Sequence, residues 1–241
     1  MRAFVLAAGL GTRLKPWTLE HPKALVPVGG VPMLRRVLER LRSEGFDEVT
    51  VNVHHFSEQI VDFLNHEELG VNVTVSDESD RLLDTGGGLL KAGISAPMLI
   101  HNVDILSDAP LAEIMNRHLA SGRDITLVTS DRESSRHLVF DAEGTLRGWH
   151  NVKTDEYKPA GFKAGADLHE HAFSGIYIVN PSVQEALERY AGSLGDSKFP
   201  IMDFMLSFPD GLSIGECCLA ELNLIDIGKP DTLAKANMLL G

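Results

Sequence analysis

Short apolar runs alternate with longer segments of helical periodicity through the first half of the chain. Short runs of apolar and β-branched residues are typical of strands, whereas apolar residues that recur at every third and fourth position are typical of helices. The strand patterns cover 3–8, 48–53, 71–75, 98–101 and 125–129, and the helical patterns cover 33–43, 57–64 and 110–119, with Ser57 as the predicted N-cap of the second helix. This alternation predicts a largely parallel sheet covered by helices.

The second half of the chain is less regular. Segments 138–140 and 146–149 predict a β-hairpin, 173–179 and 222–225 predict strands, and 182–190, 201–208 and 230–240 predict helices. The polar segment 151–170 is predicted to be a loop or lid. Because no internal repeat or linker interrupts the chain, we expect a single Rossmann-like, three-layer α/β domain over residues 1–241, with a mostly parallel mixed sheet.

Composition and charge restrict the partners. The formal net charge is −12, which argues against nucleic acid or an anionic membrane as the main partner. No apolar stretch reaches the length of a membrane span. Cys217 and Cys218 are predicted to be strand residues, since neighbours in an extended segment point to opposite faces and would form a strained disulfide. These features predict a cytoplasmic location.

A glycine-rich loop, LAAGLGTRLKP over residues 6–16, follows the first predicted strand. Gly9 and Gly11 would let the backbone turn sharply and present N–H groups to an anion. Thr12 adds a hydroxyl, and the guanidinium of Arg13 suits a phosphate group. The third glycine of a dinucleotide-binding loop and the Gly-Lys-Ser/Thr of a Walker loop are both missing. This segment alone does not decide between two interpretations, a phosphate-binding loop and an ordinary glycine turn with solvated cations.

A second motif, PKALVPVGGVP over residues 22–32, places Lys23 ten residues after Arg13. Its prolines restrict the backbone, so the segment would be stiff. A stiff loop that returned Lys23 to the glycine-rich loop would supply a fixed ammonium group, whereas the alternative is an ordinary solvated lysine.

Together, the two motifs resemble the signature of the nucleoside-diphosphate-sugar pyrophosphorylases, the sugar-1-phosphate nucleotidyltransferases. The resemblance implies the nucleotide-diphospho-sugar transferase fold and an enzyme that joins an NTP to a sugar 1-phosphate, with Mg²⁺ as cofactor and pyrophosphate as second product. It also implies that Arg13 and Lys23 are catalytic and hold phosphate groups through the reaction. The residues that it implies for nucleotide binding in these motifs are Leu6, Ala7, Ala8, Gly9, Gly11, Thr12, Arg13 and Lys23.

Asp104 and Asp226 each follow a predicted strand, at the carboxyl end where parallel α/β sheets place their ligands. Acidic residues at strand ends are also common as helix caps. The contexts NVD over residues 102–104 and DIGKP over residues 226–230 resemble those of the family's two metal-binding aspartates. The resemblance therefore implies that Asp104 and Asp226 bind Mg²⁺.

Two further segments resemble the parts of the family that contact the base and the sugar. The segment DTGGG over residues 84–88 opens a predicted helix, and its glycines would let a flat ring approach and expose amides to a base edge. A glycine turn with a flexible helix start is the alternative. The contacts implied are Thr85, Gly86 and Gly87 for the nucleotide, and Ser174 and Gly175 for the sugar phosphate.

Longer family members carry a Glu-Lys-Pro triplet before the sugar-contacting strand, and this chain does not. Asn151, Lys153 and Lys163 are candidates to replace its lysine. The missing triplet, the short chain and the three successive glycines look most like the small N-acetylmuramate 1-phosphate uridylyltransferases. That resemblance favours UTP, with GTP next, and a role in cell-wall synthesis.

Three other functions compete with this one. A cytidylyltransferase for a phosphorylated alcohol such as phosphocholine would share the loop and both aspartates. A non-catalytic regulatory homologue is a second alternative, and a nicotinamide-dependent dehydrogenase, which would need the missing glycine, is a third.

The resemblance also divides the chain, into a nucleotide-binding half over residues 1–130 and a sugar-phosphate-binding half over residues 131–241. Segment 151–170 is a candidate interface between copies of the chain, and the sequence does not decide whether the protein forms a homo-oligomer. His169 and His171 could contact a metal if extended but are expected to be solvated, because their polar segment offers no obvious third ligand. His54 is expected to approach the nucleotide site.

Overall fold

The computed structural model describes residues 1–163 and 165–241. The helices are α1 (Met33–Ser43), α2 (Ser57–His66), α3 (Asp84–Ala92), α4 (Leu111–Ser121), α5 (Ser182–Leu194), α6 (Ile201–Leu206) and α7 (Pro230–Leu240). The strands are β1 (Arg2–Leu6), β2 (Pro27–Val28), β3 (Val31–Pro32), β4 (Glu48–Val53), β5 (Asn72–Asp77), β6 (Met98–Asn102), β7 (Ile105–Ser107), β8 (Ile125–Ser130), β9 (Arg136–Phe140), β10 (Leu146–Asn151), β11 (Glu156–Lys158), β12 (His169–Val179), β13 (Ile214–Cys218) and β14 (Leu224–Asp226).

The central sheet is mostly parallel, as predicted. Its strand order is β5-β4-β1-β6-β12-β8-β13. The pairs β4–β5, β1–β4, β1–β6 and β8–β13 are parallel, whereas β12 runs antiparallel to both β6 and β8. All strands of this sheet other than β12 therefore point the same way, and their carboxyl ends meet at one edge. That edge is where such sheets place their ligands.

Helices cover both faces of the sheet, which confirms the predicted three layers. Successive side chains of a strand point to opposite faces. In β1, Ala3 and Val5 belong to one hydrophobic cluster together with buried residues of α1 and α4. Phe4 belongs to a second cluster with residues of α3, α5 and α6. The chain is thus a single α/β domain with a hydrophobic layer on each side of its sheet.

Segment 151–170 is not one continuous loop, so that prediction is wrong for part of its length. It contains β11, which pairs with β10, and the first residues of β12, which pair with β9. The resulting antiparallel extension, β11-β10-β9-β12, stands beside the parallel sheet. Lys158 also holds its ammonium over the ring of Trp149, 5.4 Å from the ring centroid.

Three smaller expectations have mixed outcomes. Ser57 is the first residue of α2 rather than its cap, because Phe56 precedes the helix at φ 53° and no side chain caps it. Cys217 and Cys218 are free cysteines on β13, as predicted. In the part of the chain that the structure describes, no helix is long and apolar enough to cross a bilayer.

Candidate active site

The glycine-rich loop folds back onto the second motif, as the sequence suggested. Gly11 adopts φ +60°, and its carbonyl accepts hydrogen bonds from the Leu14 amide at 2.8 Å and from the Thr18 hydroxyl at 2.9 Å. A Cβ atom at Gly11 would lie 2.8 Å from Thr18 Cγ2 and 2.9 Å from Lys23 Cβ. A side chain at Gly11 would therefore push Lys23 away from the loop, which explains the need for glycine.

Lys23 meets Asp104 at the carboxyl edge of the sheet. The Lys23 ammonium contacts Asp104 Oδ2, and the two side chains are only 14% and 13% exposed. Asp104 follows β6, next to the end of β1. A largely buried ion pair holds both charged groups in fixed positions, so Lys23 is not the solvated lysine of the alternative interpretation.

Asp226 and Arg13 complete the cluster. Strand β14 pairs with β7 so that Asp226 lies opposite Ile105, and the Ile227 amide donates to the Asp104 carbonyl at 2.9 Å. These contacts bring the two aspartates together although they lie 122 positions apart in the sequence. Arg13 reaches the same place from the glycine-rich loop, so the structure brings together all four residues predicted to be catalytic or metal-binding.

Gly228 marks the point on which three of these groups converge. A Cβ atom there would lie 2.7 Å from Arg13 Nη2, 2.8 Å from Asp226 Oδ1 and 3.0 Å from Asp104 Oδ2. Two carboxylate oxygens thus face one small volume, and oxygen ligands of this kind suit a hard divalent cation. The donor set fits the metal that the resemblance implies.

A smaller cleft of about 280 Å³ lies on the Lys23 side of the cluster. Gly9 borders it with no heavy atom within 4 Å of the position that a Cβ would take, so a ligand can approach the backbone there. Thr12 and Arg13 are exposed on the same loop. The residues that line the cleft are Leu6, Ala8, Gly9, Lys23, Asn52, Leu82, Asp84, Thr85, Asn102 and Asp104.

The amides of Ala7 and Ala8 are held inside the protein, whereas nucleotide binding by these residues stays a prediction. Both donate to Asn52 Oδ1, at 2.7 and 3.2 Å, so they are not free for phosphate. Asn52 in turn donates to Glu78 at 2.7 Å, and both of these side chains are buried. Sequence reasoning missed Asn52 and Glu78, although an asparagine near the end of an apolar strand is a visible signal. This pair fixes the backbone that enters the glycine-rich loop.

The three successive glycines serve helix packing. The amides of Gly86 and Gly87 donate to the Phe199 carbonyl, at 2.9 and 3.3 Å, so they cannot read a base edge as expected. A Cβ at Gly86 would overlap Phe199, and one at Gly87 would overlap the Ser197 carbonyl oxygen. A base-binding role for Thr85, which lines the smaller cleft, stays a prediction.

Gly87→Ala is therefore expected to lower the free energy of unfolding by about 1–3 kcal/mol, the usual cost of overpacking. Urea denaturation followed by circular dichroism measures this change. Gly192→Ala is the matched control, because Gly192 is also helical but has no atom within 4 Å of the position that a Cβ would take. We expect that control to be stabilised by about 0.5–1 kcal/mol. Equal stability of the two variants would contradict the packing role.

A larger cleft of about 1240 Å³ opens on the other side of the aspartates. Ser174 and Gly175 line it, as predicted, and Gly175 at φ +77° approaches Asn102, which borders both clefts. Lys153 lines this cleft, whereas Asn151 and Lys163 do not occur among the described residues that line it. Its walls also carry cations that sequence reasoning missed, namely Arg132, Arg136 and Lys229.

Arg132 is the best placed of these cations. Its Nη2 donates to the Phe173 carbonyl at 2.7 Å, which aims the side chain along the strand that carries Ser174. Burial lowers the pKa of the Arg132 guanidinium from its ordinary value, and the charge of Asp226 opposes that shift. The sequence could have revealed Arg132 by its position, because it lies two residues after the end of β8, at the ligand-binding edge of the sheet.

The histidines differ from the prediction. His169 and His171 are not simply solvated, because both contact the buried carboxylate of Glu216. His54 is absent from the described residues that line the smaller cleft, and its Nδ1 lies 2.7 Å from the Glu78 carbonyl oxygen.

Comparison with known proteins identifies the family of the chain. The model of the nucleotidyl transferase family matches residues 2–241. The chain is 32% identical over 210 residues to mannose-1-phosphate guanylyltransferase 1 of Arabidopsis thaliana, covering 83% of this chain and 55% of that protein. It is 33% identical over 210 residues to the catalytic subunit beta of mannose-1-phosphate guanylyltransferase of Drosophila pseudoobscura pseudoobscura, covering 83% of this chain and 54% of that protein.

Solved structures share the fold over the whole chain. HddC from Yersinia pseudotuberculosis complexed with GMP-PN has a TM-score of 0.76 at 21% identity, covering 100% of this chain and 99% of that one. UDP-glucose pyrophosphorylase from Acinetobacter baumanii has a TM-score of 0.79 at 16% identity, covering 100% of this chain and 93% of that one. The chain belongs to the nucleotidyl transferase family. It spans about half the length of the curated relatives it matches.

Proposed function

We propose that this chain transfers a nucleotidyl group from an NTP to a sugar 1-phosphate, with Mg²⁺ as cofactor, and releases pyrophosphate. The observation that carries this proposal is the convergence of Arg13, Lys23, Asp104 and Asp226 between two clefts. One cleft borders the glycine-rich loop, and the other has cationic walls. Two anionic substrates in adjacent clefts, with carboxylates and cations at the junction, are the arrangement that this transfer needs.

The reaction needs no protein nucleophile. An oxygen of the acceptor phosphate attacks the α-phosphorus of the NTP, the bond from that phosphorus to the bridging oxygen breaks, and pyrophosphate leaves with the electron pair. Because the acceptor phosphate is already anionic, the protein contributes by positioning and by neutralising charge. Mg²⁺ held by Asp104 and Asp226 would supply further neutralisation of the phosphate oxygens.

The cations have separate tasks in this proposal. Lys23, fixed against Asp104, stabilises the charge that builds at the α-phosphate, and Arg13 stabilises the departing pyrophosphate. Arg132 and Lys153 line the larger cleft and are proposed to hold the acceptor phosphate in place of the missing family lysine. In this assignment, residues 1–130 supply most of the nucleotide contacts and residues 131–241 most of the acceptor contacts.

We propose GTP, rather than the UTP that the sequence favoured, as the first nucleotide to test. Several relatives are guanylyltransferases by name, and the HddC structure is described as a complex with GMP-PN. The cleft supports this choice, because Asp84 lines it and a carboxylate can accept hydrogen bonds from the N–H groups of a guanine edge. Mannose 1-phosphate is the matching acceptor, and N-acetylmuramate 1-phosphate is the acceptor that the sequence suggested.

Gly228→Ala tests the convergence point. We expect turnover to fall about tenfold, since the added methyl displaces Arg13 and both aspartates and small misplacements of reacting groups slow a reaction strongly. Steady-state pyrophosphate release measures this, with Gly192→Ala as control. Unchanged turnover in Gly228→Ala would show that these three groups do not act together.

The substrates are identified by pyrophosphate release from each of four NTPs against a panel of sugar 1-phosphates and phosphocholine. Release with GTP and a sugar 1-phosphate is the expected result. Release with CTP and phosphocholine alone would favour the cytidylyltransferase alternative. No release from a folded protein that also fails to bind any NTP would contradict the proposal.

A further inference from the structure

A second cluster of metal-ligand side chains lies apart from the aspartates. His169 and His171 stand two residues apart on β12, so they face the same side of the sheet. Glu216 stands on β13, on the other side of β8. His169 Nε2 lies 2.6 Å from Glu216 Oε1, and His171 Nδ1 lies 2.9 Å from Glu216 Oε2. Two imidazole nitrogens and a carboxylate oxygen thus lie within 4.8 Å of one another.

The contacts of His171 leave room for a cation in one of its two neutral tautomers. His171 Nε2 lies 3.1 Å from Asp131 Oδ1, a distance that suits N–H donation to the carboxylate. A neutral imidazole carries one N–H, so its Nδ1 then presents a lone pair to Glu216. A lone pair and a carboxylate repel each other unless a proton or a metal ion lies between them. With Nε2 donating to Asp131, a proton or a metal ion must therefore lie between His171 and Glu216. The other neutral tautomer donates from Nδ1 to Glu216 and accepts at Nε2 from the Cys218 thiol, whose Sγ lies 3.8 Å away.

The surroundings resemble those of a metal site rather than those of a single shared proton. Metal-binding histidines usually donate their second nitrogen to a carboxylate, and metal-binding carboxylates are themselves hydrogen-bonded. Asp131 fills the first role, and the buried Thr129 fills the second by donating to Glu216 Oε2 at 2.7 Å. The Glu216 side chain is only 8% exposed, so its charge needs a partner inside the protein.

We propose that His169, His171 and Glu216 bind one Zn²⁺ ion. Two imidazoles and a carboxylate are a known zinc ligand set, with a fourth position left for water. Mg²⁺ prefers oxygen ligands, so it belongs at the aspartates and does not compete here. A second set, Asp131, His171 and Cys218, shares His171. We favour the Glu216 set because Asp131 then acts as the hydrogen-bond partner of the metal ligand His171.

This ion would join β12 to β13 across β8. His171 also lines the larger cleft, so the ion would brace the wall on which Ser174 stands. We expect a stabilising, structural role for it, separate from the transfer reaction.

The test is a Co²⁺ titration of untagged, chelator-treated protein, followed by visible absorption, since tetrahedral Co²⁺ reports the geometry that Zn²⁺ adopts. Wild type is expected to bind one equivalent of Co²⁺. Added Zn²⁺ should displace the bound Co²⁺, whereas excess Mg²⁺ should not. The same titration in the Asp104→Asn/Asp226→Asn double variant should give the same bands, which separates this site from the aspartates. Zn²⁺ should also raise the melting temperature of wild type.

The variants locate the site. His169→Gln and Glu216→Gln are expected to weaken binding at least about a hundredfold, and Thr129→Val by about ten- to a hundredfold. His137→Gln is the matched control, because His137 contacts Glu170 instead of Glu216. Folded wild type that binds no stoichiometric Co²⁺ or Zn²⁺ would overturn the proposal and leave a shared proton. Equal affinity in His137→Gln, His169→Gln and Glu216→Gln would overturn it as well.

Discussion

Asp104→Asn is expected to lower turnover by about a thousandfold or more at saturating NTP and Mg²⁺. The substitution replaces a charged oxygen by a neutral one where two carboxylates face the same small volume, and it removes the charge that holds Lys23. A metal ion at transferring phosphates contributes several kcal/mol of charge stabilisation, so a loss of this size follows. Pyrophosphate release at several Mg²⁺ concentrations measures the loss.

The control for this variant is Asp210→Asn, an exposed aspartate in the loop between α6 and β13. It makes the same change of charge away from both clefts and should leave turnover unchanged. Partial recovery of Asp104→Asn at high Mg²⁺ would support a weakened metal site. Turnover of Asp104→Asn near that of wild type at low Mg²⁺ would remove Asp104 from the reaction.

Lys23→Ala is expected to lower turnover at least about a hundredfold while the protein stays folded. The ammonium group is fixed against Asp104 by a largely buried ion pair, so it is already oriented when the substrates bind. Removing one preorganised electrostatic stabiliser typically costs this much. Steady-state kinetics with circular dichroism of the same sample separates the loss of turnover from unfolding.

Lys235→Ala provides the comparison, since Lys235 is an exposed lysine on α7. Its turnover and melting temperature should match those of wild type. Arg13→Ala should resemble Lys23→Ala in turnover, because it removes the second cation of the cluster. A Lys23→Ala variant that turns over normally would show that the ion pair is structural.

The sequence predicts the parallel part of the fold well, because there each strand and helix carries its own periodic pattern. The position of Asp104 followed from the same reasoning, because it comes just after β6 at the ligand-binding edge. Asp226 reaches the site differently, as the last residue of β14, which pairs antiparallel with β7 outside the parallel sheet. By contrast, β11 has three residues that are exposed or half-buried, so it leaves no hydrophobic pattern to detect. Its pairing depends on the hairpin beside it.

Contacts between distant segments limited the prediction of the site. The role of Gly86 and Gly87 depends on Phe199 and Ser197, which lie more than a hundred residues further along the chain. The sequence shows that glycine is present but not which atoms it must avoid. In the same way, Glu216 reaches the two histidines of β12 only because both strands pair with β8.

The most direct test of the account is mass spectrometry of the products formed from GTP, Mg²⁺ and mannose 1-phosphate, by wild type and by the Asp104→Asn/Asp226→Asn variant. The account predicts a GDP-sugar and one equivalent of pyrophosphate from wild type, and neither product above background from the variant. If GTP is inactive, the same comparison is made with the active pair from the substrate panel. Equal product formation by wild type and variant would contradict the central claim, and so would a wild type that forms no NDP-sugar from any pair in that panel.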